Sequence, residues 1–128
     1  MSRVSTTSFL ALAAILSAPR PARGQAFEVL HTFQGESDVA LPQAGLIQAS
    51  DGKLYGTAAA GGAYGNGAVF RVSLAGGVET VHSFQLAVDG AQPLAPLIQA
   101  SDGNFFGTLS LSPSGNPGDG RIFRMTPL

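Results

Sequence analysis

Leu46-Ile47-Gln48-Ala49-Ser50-Asp51-Gly52 recurs letter for letter as Leu97-Ile98-Gln99-Ala100-Ser101-Asp102-Gly103, 51 residues further along the chain. The copy is wider than the heptapeptide. Sliding residues 27–57 onto 78–108 leaves 17 of 31 positions identical, among them Glu28 with Glu79, His31 with His82, Phe33 with Phe84, Asp38 with Asp89 and Pro42 with Pro93. Beyond Gly56-Thr57 and Gly107-Thr108 the offset grows to 53, where Val69-Phe70-Arg71-Val72 aligns with Ile122-Phe123-Arg124-Met125. Two extra residues at that point mark a loop. A period near 50 residues belongs to a supersecondary unit that cannot bury its apolar faces alone and must stack on a copy of itself.

Asp51-Gly52 sits between Leu46–Ser50 and Lys53–Thr57, and predicts a tight hairpin closed by a two-residue type I′ turn. A glycine-rich stretch, Gly61 to Gly67, leads into a third strand over Ala68–Leu74 and, after Gly76-Gly77, a fourth over Val78–Phe84. Each repeat therefore reads as four short strands. Ala68, Phe70, Val72 and Leu74 share one side of the third strand and Val69, Arg71 and Ser73 the other, so apolar residues occupy both faces. Such a meander suits the blade of a β-propeller, which is covered on either side by a neighbour. Helix is disfavoured because glycine and proline interrupt the longer windows. The first copy opens on Phe27–Phe33, a duplicate of the fourth strand, and the second ends after a duplicate of the third, so one strand is displaced to the front. In a closed ring that strand completes the last blade and removes an exposed edge.

Arg3, an apolar run from Phe9 to Ala18 and the small-x-small close Gly24-Gln25-Ala26 read as a signal peptide over residues 1–26. The β-repeat domain is then 27–128, with repeat one at about 27–77 and repeat two at about 78–128. An exported chain is expected, periplasmic, cell-surface or extracellular, without a transmembrane segment in its mature part. Three of the seven basic residues leave with the peptide, so four remain against eight acidic ones and the net charge moves from −1 to about −4. A nucleic-acid groove needs clustered cations, and Lys53, Arg71, Arg121 and Arg124 are scattered. The chain has no cysteine, which excludes disulfides and thiolate chemistry.

Pro42-Gln43-Ala44-Gly45-Leu46-Ile47, Asp51-Gly52, Leu54-Tyr55-Gly56-Thr57, Gly61-Gly62, Gly65, Gly67 and Val69-Phe70-Arg71 together resemble the Gloeo_Verruco (GloVer) tandem repeat of exported bacterial proteins. The second copy departs from the pattern at Pro96, Phe105-Phe106 and Leu109–Gly120. The resemblance implies a propeller-like β-repeat and transfers no catalytic residues.

His31 and His82 invite a metal or acid–base reading, yet a side chain that recurs once per unit more often serves the unit's own fold. Arg71 and Arg124 are weighed in the same way against anion binding in a channel. Asp38, Asp51, Asp89 and Asp102 offer oxygen ligands for calcium, but the turns account for Asp51 and Asp102, and loop capping for Asp38 and Asp89. Ser50 and Ser101 have no evident base, and the glycine-rich loop lacks the lysine and helix of a phosphate loop. No catalytic, cofactor-binding or metal-ligating residue is assigned and no cofactor is expected. The expected function is non-catalytic, structural or associative, with self-association or other surface proteins as partners. A glycan- or small-ligand-binding propeller assembled from several chains is the alternative.

Overall fold

The computed structural model describes residues 25–35 and 38–128, and among them every regular element is a strand. In chain order these are β1 (Val39–Ala40), β2 (Ile47–Gln48), β3 (Leu54–Ala58), β4 (Ala60–Gly61), β5 (Ala68–Val72), β6 (Val78–Ser83), β7 (Ile98–Gln99), β8 (Phe105–Leu111) and β9 (Pro117–Met125). Unit one is the antiparallel sheet β2-β3-β5-β6, and unit two is β7-β8-β9. β1 pairs with β4 in a small separate ladder. Among the described residues no sheet closes on itself.

Unit two has three strands where four were expected, because nothing lies on the outer edge of β9 among the described residues; the strands the units share correspond down to single residues. Gly56 faces Phe70 across β3 and β5, and Gly107 faces Phe123 across β8 and β9. The Ala40–Ala60 pairing of β1 with β4 returns as the lone bridge Ala91–Leu111. Leu41 and Gln92, equivalent positions, both take left-handed backbone, at φ 55° and 60°. That conformation costs a side-chain-bearing residue about 1–2 kcal/mol, so its recurrence means the surroundings impose it. Matching bonds hold it in place, from the Ala59 N–H to the Leu41 carbonyl at 3.0 Å and from the Ser110 N–H to the Gln92 carbonyl at 3.1 Å.

The hairpin turns differ from the type I′ expectation. Only Gly52 and Gly103 have positive φ; Asp51 and Asp102 do not. The Gly52 N–H donates to the Ala49 carbonyl and the Ala49 N–H to the Lys53 carbonyl, both at 2.9 Å, which defines a three-residue loop whose glycine makes the bulge. Asp51 is kept out of the left-handed region because its Oδ1 accepts the Lys53 N–H at 2.9 Å. Asn104 and Asp102 repeat the bond at the same distance.

Gly56 and Gly107 are needed for space. A Cβ on Gly56 would stand 2.6 Å from the Phe70 ring and 2.7 Å from Leu46, and one on Gly107 would strike the Phe123 ring. In each unit an aromatic ring of the third strand lies across the glycine of the second. This explains why Gly-Thr and Phe-Arg travel together in the repeat.

Both faces of the unit-one sheet are apolar, the back covered by unit two and the front only in part, by neighbouring segments of the same unit. Its front, with Ala58, Ala68, Phe70 and Val72, packs with Val39 and Phe33. Its back, with Tyr55 and Val69, meets Phe84, Leu97, Phe105 and Leu109 in a core shared between the units. β6 hydrogen-bonds to β5, so the structural unit runs past the 77/78 division of the sequence repeat. The extra residues of the second copy lengthen the β8–β9 hairpin, which turns at 112–116. Residues 25–34, expected to contain a strand over Phe27–Phe33, form none, because no neighbour strand reaches them; Phe27 is 91% exposed. Residues 1–24 of the expected signal peptide lie outside the described residues.

Candidate functional site

Both histidines are engaged in the same way. His31 Nε2 lies 2.8 Å from Asp38 Oδ2, His82 Nε2 lies 3.1 Å from Asp89 Oδ2, and each ring stacks edge-on against the phenylalanine two residues on. Asp38 also accepts the Val39 N–H at 2.8 Å, and Asp89 the Gln85 N–H at 3.0 Å. Partial burial raises the Asp38 carboxyl, but the His31 bond and the backbone N–H groups of Val39 and Gln34 outweigh it and hold the pKa below the usual carboxylate range. Each pair thus ties the segment that ends in the phenylalanine to the loop that follows. The constant spacing of seven residues, His31 to Asp38 and His82 to Asp89, was the signal in the sequence that could have found the pair. Among the described residues neither imidazole bonds a hydroxyl, and no three His, Asp or Glu side chains converge as metal ligands would.

A second polar chain runs across the back of unit one. The Tyr55 hydroxyl donates to Asp51 Oδ2 at 2.8 Å, and Arg71 bonds Glu79 through Nε at 2.8 Å and Nη2 at 2.7 Å. Burial, then the Asp51 contact, raises the Tyr55 pKa. The Lys53 N–H and the Tyr55 hydroxyl lower that of Asp51. Arg71 is therefore held laterally by its own sheet. Its repeat equivalent Arg124 lies on β9, which among the described residues has no strand beyond it to supply a glutamate.

The asymmetry between equivalent positions marks the surface with most to explain. On the back of unit one Val69 is 0% exposed, while its counterpart Ile122 on the back of unit two is 80% exposed. Ile98, the counterpart of half-buried Ile47, is 64% exposed. On the front, Leu97 of unit two is 1% exposed, whereas Leu46 of unit one is 51% exposed. The covered pair of faces is the contact between the units; the bare pair is the same two faces at the two ends of the molecule. Each bare face carries an apolar cleft. One of about 310 Å³ is lined by Leu30, Phe33, Leu46, Leu54, Phe70 and Val72, and one of about 270 Å³ by Pro96, Ile98, Phe106, Thr108 and Ile122. Bringing Ile122 from exposure to full burial is worth about 1.5–3 kcal/mol.

An all-β chain of tandem antiparallel units stacked face on back is a repeat protein. The Gloeobacter/Verrucomicrobia repeat model matches residues 19–128, and the chain belongs to that family. No curated protein and no solved structure matches the chain.

Proposed function

We propose that this chain is an exported, non-catalytic β-repeat module whose role is structural: it associates with further repeat units through the two bare faces, as blades do in a β-propeller. One observation carries the reading. The contact that joins unit one to unit two buries Val69 and Leu97, and the equivalents of both, Ile122 and Leu46, stand uncovered at opposite ends of the molecule. An interface of this kind is heterologous, so it propagates until the rotation closes a ring or extends an open array. Contiguous apolar surface of this sort marks association sites. Export rests on Arg3, the run Phe9–Ala18 and Gly24-Gln25-Ala26, and N-terminal sequencing of the secreted chain tests it, with Phe27 the expected first residue.

Light scattering over a concentration series tests the association. The wild-type chain should exceed one chain per particle as concentration rises, and Ile122→Asp should hold it at one. A wild-type chain that stays monomeric at high concentration while Ile122→Asp behaves identically would defeat the proposal.

A further inference from the structure

Unit two lacks the strand that unit one possesses. β6 lies on the outer edge of β5, but among the described residues β9 carries only β8, and its other edge is unpaired over Pro117–Met125. A nine-residue edge with exposed backbone groups is a template for a further strand. Beside it a cleft of about 280 Å³ is lined by Ile122, Phe123, Arg124 and Met125 of β9 and by His82 and Phe84. The piece of sequence that repeats β6 sits at the other end of the molecule. Phe27–Phe33 is strand-like in composition, yet it pairs with no strand among the described residues and leaves Phe27 91% and Val29 65% exposed.

The register of β6 on β5 shows what the missing pairing would be. There Val72 faces Val78, Arg71 faces Glu79, Phe70 faces Thr80 and, past a bulge at Val81, Val69 faces His82. Carried over by the repeat offsets, Met125 faces Phe27, Arg124 faces Glu28, Phe123 faces Val29 and Ile122 faces His31, with Leu30 in the bulge. The charges agree. Arg71 and Glu79 form an ion pair, and Arg124 and Glu28 keep both signs at the equivalent places.

The contacts between the units extend the match. The Thr57 hydroxyl donates to the Ala95 carbonyl at 3.0 Å, and the Ser50 N–H donates to Gln99 Oε1 at 2.8 Å. Their repeat equivalents, Thr108 with Ala44 and Ser101 with Gln48, are the same residue types. Thr108 and Ser101 lie exposed on the back of unit two, and Gln48 is exposed on unit one. Within one chain β6 leads through Phe84, edge-on against Phe123, into unit two; Phe27–Phe33 leads through Phe33, edge-on against Phe70, into unit one. Added strand and stacked face therefore belong to one contact.

We propose that residues Phe27–Phe33 of a second copy of this chain add as the fourth strand to the free edge of β9, with Glu28 of one copy against Arg124 of the other, and that this strand exchange directs the docking of the bare faces. This rests on the associative reading above and names its partner and its register. Exchange of a strand between identical chains is an economical route to assembly.

The absence of cysteine makes the test direct. Glu28→Cys and Arg124→Cys chains, each otherwise complete, are prepared separately, mixed and mildly oxidised; residues directly opposite on antiparallel strands stand about 4.5–5.5 Å apart, within disulfide reach. The paired mixture should give a mixed disulfide of two chains several-fold faster than Glu28→Cys with Gly120→Cys, which is out of register. Equal rates in the two mixtures would overturn the proposal, as would a Glu28→Cys/Arg124→Cys double variant that bridges only within its own chain. If light scattering still shows assembly when the cross-link fails, strand exchange falls and association through the faces stands; a monomer under all conditions removes both.

Discussion

Phe33 and Phe84 occupy the same place in the repeat, so truncating each in turn separates the chemistry of the residue from the contribution of its neighbours. Phe84 is 2% exposed in the core shared by the units, with its ring 5.2 Å from Phe123 and 5.0 Å from His82. Phe33 stands 5.1 Å from Phe70 and 4.7 Å from His31, but it is only half-buried, on a face with no further unit over it. Phe84→Ala should cost about 3–5 kcal/mol, the range for a buried phenylalanine that leaves a cavity. Phe33→Ala loses a similar edge-on contact, worth about 0.5–1.5 kcal/mol, but much less burial, so about 1–2 kcal/mol is expected for the isolated chain. A domain of this size has roughly 5–15 kcal/mol in total, so Phe84→Ala should leave a marginal fold. Urea unfolding followed by circular dichroism, at a concentration where light scattering finds single chains, gives both values. Equal costs, or a larger one for Phe33→Ala, would refute the claim that the second unit is what buries Phe84. Raising the concentration should then bring the Phe33→Ala cost toward that of Phe84→Ala, as another unit covers the open front.

Gly107→Ala should destabilise by about 1–3 kcal/mol, because its methyl meets the Phe123 ring and Leu97, and the same measurement should find Gly56→Ala similar. Leu41→Gly should be neutral or stabilise by up to about 1 kcal/mol through relief of the left-handed backbone, while Leu41→Val destabilises; thermal melts distinguish the two. Asp38, Asp51 and Asp102 have folded-state pKa values below their unfolded ones, so their contribution is present above about pH 4 and is lost as pH falls through the folded values. Unfolding midpoints should accordingly drop on acidification below that point, and less so for Asp38→Asn, Asp51→Asn and Asp102→Asn. Glu28→Arg should weaken assembly, and mixing it with Arg124→Glu should restore association between the two variants but not within either alone; sedimentation reads the difference.

The repeat itself made much of this legible. Unit one has the four strands that the alternation of Ala68–Val72 and the glycine punctuation predict, in meander order, and its sheet is apolar on both faces. What the pattern could not convey was geometry set by other parts of the molecule. Asp-Gly alone suggests a two-residue turn, but the Asp51 side chain reaches the Lys53 N–H and selects the longer loop with its bulge. Leu41 and Gln92 are unlike in chemistry and share a backbone conformation imposed by the bonds around them, which no propensity encodes. Phe27–Phe33 has a strand's composition and no strand, because a strand requires a partner edge and the isolated chain places none beside it. The bare faces were foreshadowed by apolar residues on both sides of the third strand, Ala68–Leu74; which of them would be covered depended on which unit stood at which end.

Hydrogen exchange measured at low and high protein concentration tests the central claim most directly. The burial of Val69 and Leu97 and the exposure of their counterparts Ile122 and Leu46 are held to depend on whether another unit lies over them. The amides of residues 27–33 and of β9 should exchange more slowly as concentration rises, while those of β5, already paired on both edges, should not change. Exchange in 27–33 and β9 that stays fast at every concentration would contradict the account.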